Sequence, residues 1–368
     1  MRKEVLVFGL STNRGGIETY LLKIWQHIDH ARYHFSFIDM TGEGNKPCFY
    51  DELSADGCDF YKITPRKESI IENRRDIRNL FKRHRFDILH FNVNTLSYIY
   101  PIKVALKYNC KVIVHSRNSN TQLYSLAGIL HKLNRIRISK MDIHRIAVSQ
   151  AAGEWLFGTQ KFDVYHNGVD VERFRYDSNN RLIIRREQEC ENSFVIGHVG
   201  VMLPVKNHSF MIDVFKRVIE KDPTAMLWFI GDGPLRTELE NKVKNQKLDR
   251  SILFLGKRND LPLLYSGMDV LWLPSEYEGY PNVVAEAFCA GLPCLVSSKV
   301  PQDVLVGDYS IILPLEEKVE IWANSLLEMK KIKDLDRENA HERMRMKGAS
   351  VEDEILRIQN LYEETLLE

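Results

Sequence analysis

The segment 274–287, Pro-Ser-Glu-Tyr-Glu-Gly-Tyr-Pro-Asn-Val-Val-Ala-Glu-Ala, sets Glu278 in a polar loop. Glu286, with seven residues between the two, falls in the second turn of an Ala-rich helix starting near Asn282. A carboxylate among Val283, Val284, Ala285, Ala287 and Phe288 is costly to bury unpaired, and a hydroxyl-rich ligand such as a ribose diol would satisfy it. A helix-face glutamate touching solvent is the plain alternative, weakened by a second carboxylate beside a glycine loop. Two further loops suit anions. Ser11-Thr12-Asn13-Arg14-Gly15-Gly16 leads into a helix near Ile17, where paired glycines admit a ligand to the backbone and the helix N-terminus offers N–H groups. Gly231-Asp232-Gly233-Pro234 closes a strand and opens a helix, with proline in a favourable first-turn position. Lys206 follows another strand and could meet a phosphate. His90 and His115 are read at strand ends, where ligands gather.

Other signals are weaker. No G-x-G-x-x-G fingerprint and no G-x-x-x-x-G-K-[ST] loop occurs, which removes the best support for nicotinamide or ATP binding. His27 and His30 have no carboxylate partners in sequence, and Asp334-Leu335-Asp336 lies in a charged helical region, so no metal site is expected. The stretch 62–85 holds nine basic and three acidic residues, and 132–145 five against one. Solvated helix faces account for such runs by default; attraction to an anionic membrane is the functional alternative.

Short apolar runs must carry these loops. Those at 5–10, 35–39, 87–91, 111–115 and 145–149 read as strands, each followed by a helix-length stretch. The rhythm pauses at Asn167-Gly168-Val169-Asp170 and resumes at 194–200, 227–231, 252–256, 270–274 and 293–297. Alternation at this spacing implies two α/β domains with parallel sheets, whose ligands sit at the carboxyl ends of the strands. A last amphipathic helix is marked by Val351, Ile355, Ile358, Tyr362 and Leu366.

Composition sets the limits. The 368 residues are 44% apolar and 27% charged, with 51 Lys and Arg against 50 Asp and Glu, which argues against a general nucleic-acid binder. Two domains suit this length. Residues 1–170 carry 25 basic and 17 acidic groups, or +8, and the remainder 26 and 33, or −7. Six scattered cysteines form no C-x-x-C pair and suit reduced thiols in a cytosol. No apolar run of about 18 residues is present to span a membrane.

Taken together, these motifs resemble the family-4 retaining glycosyltransferases of the GT-B fold, in the branch that builds bacterial capsules and exopolysaccharides. Landmarks are Arg14 to Thr19, Asn167-Gly168-Val169-Asp170, Lys206-Asn207-His208, residues 231–236, Phe254-Leu255-Gly256, and above all Glu278 and Glu286 with Ala290-Gly291-Leu292-Pro293. The resemblance implies two Rossmann-like doubly wound domains facing across a cleft. Residues 1–168 with 350–368 would form the acceptor-side domain and 169–349 the donor domain, the last helix crossing back to the first. It implies a nucleoside-diphosphate sugar donor, most simply a UDP-sugar, a saccharide or lipid-linked acceptor, and no cofactor or metal. Glu286 would hold the ribose, Glu278 the transferred sugar, and the backbone of Gly279, Tyr280, Pro281, Asn282 and Val283 the sugar and β-phosphate. Lys206 would neutralise the diphosphate and Gly15 and Gly16 would close over it. Arg258 would meet the base, Gly231 and Gly233 would line its pocket, and His90 or His115 would face the reacting centre. Arg14, Arg117 and Asn118 are candidate phosphate or acceptor contacts. A cytoplasmic protein is implied, with the inner face of the plasma membrane as a docking surface.

Two positions depart from the family pattern. Val201 stands where an arginine is usual, and Arg117 replaces the usual histidine of the 115–118 stretch. A nucleotide-sugar 2-epimerase, needing no acceptor, and a non-catalytic sugar-nucleotide-binding subunit are the alternatives.

Overall fold

The computed structural model describes residues 2–13, 15–119, 126–307, 309–332 and 336–367. The chain divides into two compact units, Met1–Asn167 with Val351–Glu368, and Gly168–Ser350.

The first unit is built on β1 (Lys3–Phe8), β2 (Tyr33–Asp39), β3 (Asp59–Lys62), β4 (Ile88–Val93), β5 (Lys111–Ser116), β6 (His144–Ala147) and β7 (Asp163–Val164). All pairings are parallel, in the order β3-β2-β1-β4-β5-β6-β7. In the second unit β8 (Val195–Val199), β9 (Met226–Ile230), β10 (Ile252–Gly256), β11 (Val270–Leu273), β12 (Cys294–Ser297) and β13 (Ser310–Leu313) run parallel in the order β10-β9-β8-β11-β12-β13. Helices cover both faces of such sheets, which is why central strands are apolar throughout: β4 and β8 are buried at every position. Each sheet reverses its strand order beside its first strand, at β1 in one and β8 in the other. A doubly wound sheet opens its ligand crevice there, outside the carboxyl ends. This is the two-domain α/β architecture expected above.

Local signals start the helices. Ser69 accepts a hydrogen bond from the Glu72 amide before helix Ile70–Arg83, Ser149 from Ala152 before Gln150–Phe157, and Asp177 from Asn179 and Asn180 before Ser178–Glu187. Five of the six cysteines are buried, and all six are free thiols.

The final helix, Val351–Leu367, belongs to the first unit. Val351, Ile355, Ile358, Leu361 and Tyr362 join a core with Val5, Val7, Tyr20, Ile24 and Phe35, and Leu366 packs at its edge. Glu354, 2% exposed, pairs with Lys23 of helix Gly16–His27 at 2.5 Å. Truncating Ile358, which is fully buried, should therefore destabilise the first unit. Ile358→Ala is expected to cost about 2–5 kcal/mol in urea unfolding followed by first-unit fluorescence. A loss below about 0.5 kcal/mol would show the helix to be peripheral.

Candidate functional site

At the order reversal of the second sheet, the loops after β8 and β11 meet. The first runs through a 3-10 turn, Pro204–Lys206, to Asn207 in a left-handed conformation (φ 61°), then into helix His208–Lys221. The Glu276 amide donates to the Val205 carbonyl at 2.8 Å, and the Lys206 ammonium donates to Glu278 Oε1 at 2.5 Å. Lys206 and Glu278 retain only 19% and 13% side-chain exposure, so the pair is largely desolvated. The 274–281 loop then enters helix Asn282–Cys289, whose N-cap is Pro281; no side-chain oxygen caps it. Gly279, Asn282 and Val283 are half-buried around this helix start, and Tyr280 and Pro281 are buried. The uncapped first turn is a place for an anion. Inside the helix, Glu286 Oε2 accepts from the Tyr265 hydroxyl at 2.8 Å. Tyr265 lies in helix Leu261–Gly267 and is fully buried. Burial, together with the Glu286 charge, pushes its phenol well above the usual range.

The two glycines of 231–234 are required by the loops themselves. A Cβ on Gly231 (φ +136°) would lie 2.0 Å from the Gly200 carbonyl oxygen, and one on Gly233 would lie 2.6 Å from that of Met202. The Met202 amide donates to Asp232 O at 3.0 Å, so this turn buttresses the 200–206 loop from behind. Arg258 is already engaged: its Nε and Nη2 reach both Asp260 oxygens at 2.8 and 2.6 Å. Val201 is 46% exposed on the loop surface. Beneath the loop sit His198 and His208, both buried. His198 Nδ1 lies 2.9 Å from Trp272 O, while both ring nitrogens of His208 lack partners. Burial, assisted by the Lys206 charge, lowers His208 to about 4.

The first unit brings together a second group. His90 is not at a strand end, as expected, because β4 continues to Val93; its ring is 1% exposed. A buried chain runs from Tyr362 Oη to His90 Nδ1 (2.7 Å), His90 Nε2 to His115 Nδ1 (3.2 Å), His115 Nε2 to Arg117 Nη1 (3.1 Å), and Arg117 Nη2 to Asn167 Oδ1 (2.9 Å). A guanidinium only donates. His115 Nε2 must therefore accept, its Nδ1–H donates to His90, and His90 Nδ1–H donates to Tyr362. Burial, then the Arg117 charge, lowers His90 to about 3 and His115 well below its usual value, so both imidazoles are neutral. Arg117 also lies over the Tyr20 ring at 3.7 Å, a cation–π contact. Asn118 Oδ1 accepts from the Ser119 amide. Gly15 caps helix Gly16–His27 with extended backbone and no side-chain bond; Cβ space at Gly16 is open. Arg14 lies outside the described residues.

Sequence reasoning missed Tyr265, Tyr20, Asn167 and Tyr362 as partners in these groups. Tyr362 was marked only as an apolar face position, and no local pattern announces the others. Among the described residues one trio, Glu172, His341 and Glu342, could gather round a metal, but Arg345 pairs with both carboxylates.

The chain is similar to known proteins in sequence and in fold. The family model described as Glycosyltransferase Family 4 matches residues 14–173, and that described as Glycosyl transferases group 1 matches 180–347. EpsF of Bacillus subtilis, itself assigned as a glycosyltransferase, is 28% identical over 340 residues, 88% of this chain and 87% of that protein. The UDP-Gal:alpha-D-GlcNAc-diphosphoundecaprenol alpha-1,3-galactosyltransferase of Escherichia coli is 26% identical over 314 residues, 81% of each. In structure, HepE of Anabaena in complex with UDP and glucose superposes with a TM-score of 0.80 at 18% identity, over 99% of this chain and 100% of that one.

The depressed histidines have a consequence for stability. Their folded values lie below the unfolded value of about 6.5, so the unfolded chain takes up protons first as pH falls. For His208 the associated stability is complete above pH 6.5 and is lost between there and about 4. His208 should by this linkage remove about 2 kcal/mol between pH 7 and 5. In His208→Gln, which forfeits no hydrogen bond, the fall in urea midpoint over that range should be shallower than in the native protein; an identical slope would refute the assignment.

Proposed function

The chain belongs to the family-4 glycosyltransferases, enzymes of polysaccharide biosynthesis with the GT-B fold, and on that premise we propose that it transfers a sugar from a UDP-sugar to a saccharide or lipid-linked saccharide, retaining anomeric configuration. The observation that carries this is the placing of Lys206, Glu278 and Glu286 around one uncapped helix start at the reversal point of the second sheet. UDP as the nucleotide is supported by the HepE complex and by the donor of the Escherichia coli relative, and a lipid-linked acceptor by that relative's substrate.

In the proposed reaction the bond between the anomeric carbon and the β-phosphate oxygen breaks. A bond forms from that carbon to an acceptor hydroxyl oxygen on the same face, and the hydroxyl proton passes to the departing diphosphate. Charge grows on the diphosphate, and groups already aimed there lower the barrier. Lys206 is the side-chain cation of the second unit for this task, aided by the N–H groups of Gly279, Tyr280, Asn282 and Val283; the mechanism assigns no metal ion. Glu286 would accept from the ribose hydroxyls beside Tyr265, and Glu278, exchanging its lysine, from the sugar. His90 and His115, both buried with both ring nitrogens engaged, are assigned to holding Arg117, which takes the acceptor-side role. Arg258, tied to Asp260, would frame the base pocket.

Among the described residues no helix is long and apolar enough to cross a membrane. With +8 on residues 1–170, peripheral attachment to an anionic membrane is proposed, checked by co-sedimentation with vesicles that weakens as salt rises.

Glu286→Ala should weaken UDP binding about 10- to 150-fold, the equivalent of a charged hydrogen bond worth about 1.5–3 kcal/mol. Glu278→Ala should leave UDP affinity within about threefold and depress transfer, the pattern of a contact made to the moving sugar. Equal UDP affinity for native protein and Glu286→Ala in calorimetry would overturn the ribose assignment.

Since Val201 is exposed, Val201→Arg costs no core volume. It should tighten UDP-sugar binding about tenfold by adding a charge-assisted contact. Unchanged affinity would mean that another cation already serves the diphosphate.

A further inference from the structure

One helix of the first unit is inside out. Helix Leu126–Ile138 buries Gly128, His131, Asn134 and Ile138. It leaves Leu126, Ile129, Leu133 and Ile136 between 46% and 72% exposed. Their spacing of three, four and three residues places them on one face. The polar side is fastened down: the Leu96 amide donates to His131 Nδ1 at 3.1 Å, Asn134 Nδ2 donates to Leu96 O at 2.7 Å, and the His131 ring stacks on Trp155 at 4.8 Å. The apolar stripe is therefore held outward. Ile70, 55% exposed at the start of helix Ile70–Arg83, lines a cavity together with Leu130, Asn134 and Arg137 of helix Leu126–Ile138. An exposed apolar helix face of this kind marks a contact site.

Both helices line one cavity of about 190 Å³, and four cations meet in it: Arg66, Arg74, Lys103 and Arg137. No acidic residue lines it. Arg66 lies over the Tyr98 ring at 4.5 Å and Arg74 over Tyr100 at 5.3 Å, while Arg137 donates to Asn134 Oδ1 at 2.9 Å. These contacts orient the guanidiniums but leave their charge uncompensated, since none of the four cations pairs with a carboxylate among the described residues. Like charges lining one cavity repel, and a polyanion relieves the repulsion. Guanidinium forks suit phosphate oxygens. A hydrocarbon stripe beside a four-cation pocket matches one ligand chemistry, a diphosphate ester on a long apolar chain.

We propose that this cavity seats the diphosphate of a lipid-linked saccharide acceptor, with the lipid chain lying along Leu126, Ile129, Leu133 and Ile136. The proposal rests on the transferase reading above, which leaves the acceptor's anchoring site unassigned.

The test uses farnesyl diphosphate as a short soluble probe, with inorganic pyrophosphate and phosphatidylglycerol vesicles as comparisons, on the full chain. Farnesyl diphosphate should bind at least tenfold more tightly than pyrophosphate. Arg74→Gln with Arg137→Gln should weaken it tenfold or more, and Ile129→Asn with Leu133→Asn should bring it down to the pyrophosphate level. UDP affinity should not change in either double variant, which shows that both are folded. Equal affinity for farnesyl diphosphate and pyrophosphate, or no effect of the arginine pair, would overturn the proposal. An equal loss of phosphatidylglycerol vesicle binding in the arginine variant would also overturn it, by making the cavity a bulk headgroup site. Failure of native protein to bind UDP would instead refute the donor reading and leave the lipid site standing.

Discussion

The reversal of strand order beside β8 is the constraint on which the candidate site depends. Strands β9 and β11 flank β8 on opposite sides, so the connections that follow them diverge and the carboxyl ends stay uncovered. No helix can close that gap. What occupies its floor is the Lys206–Glu278 pair at 2.5 Å, backed by the glycine turn at 231–233 that a Cβ would push away. Removing one member of a largely buried pair leaves the other uncompensated, at a cost of about 3–5 kcal/mol. In the proposed function a diphosphate, which carries more negative charge than a carboxylate, would replace Glu278 as the partner of Lys206 and free the carboxylate for a sugar. The pair holds both side chains in place.

In the first unit the interior carries a polar chain instead. Two neutral imidazoles link the hydroxyl of Tyr362, on the terminal helix, to the guanidinium of Arg117. The arginine sets the tautomer of both rings, because it can only donate. This gives the arginine at position 117 a physical setting: an ion in this apolar sheet needs an acceptor on every side, and His115, Asn167 and the Tyr20 face supply them. The terminal helix is consequently part of the interior that positions Arg117, through the same Tyr362 that packs in the core.

Much of the fold was legible because parallel strands buried on both faces appear as unbroken apolar runs. All ten strands read from such runs are present. Those missed, β3, β7 and β13, are the short or edge strands Asp59–Lys62, Asp163–Val164 and Ser310–Leu313, whose apolar runs are at most three residues long and whose positions are half-exposed or exposed. Glu286 stood out as a carboxylate in an apolar helix. Its partner Tyr265, and the union of Lys206 with Glu278 across 72 residues, depend on tertiary contacts that no local pattern encodes. His90 was misplaced because the run was cut at Phe91, two residues before the strand ends. Gly231 and Gly233 looked like a ligand loop, yet a backbone neighbour accounts for them.

In the proposed function the Lys206–Glu278 pair is a closed form of the diphosphate site. A crystal structure of the protein soaked with UDP-sugar tests it directly. The diphosphate should lie against Lys206 Nζ and the start of helix Asn282–Cys289, the ribose hydroxyls should reach Glu286, and the Lys206–Glu278 contact should have opened. Nucleotide bound elsewhere, with that ion pair still at 2.5 Å, would contradict it.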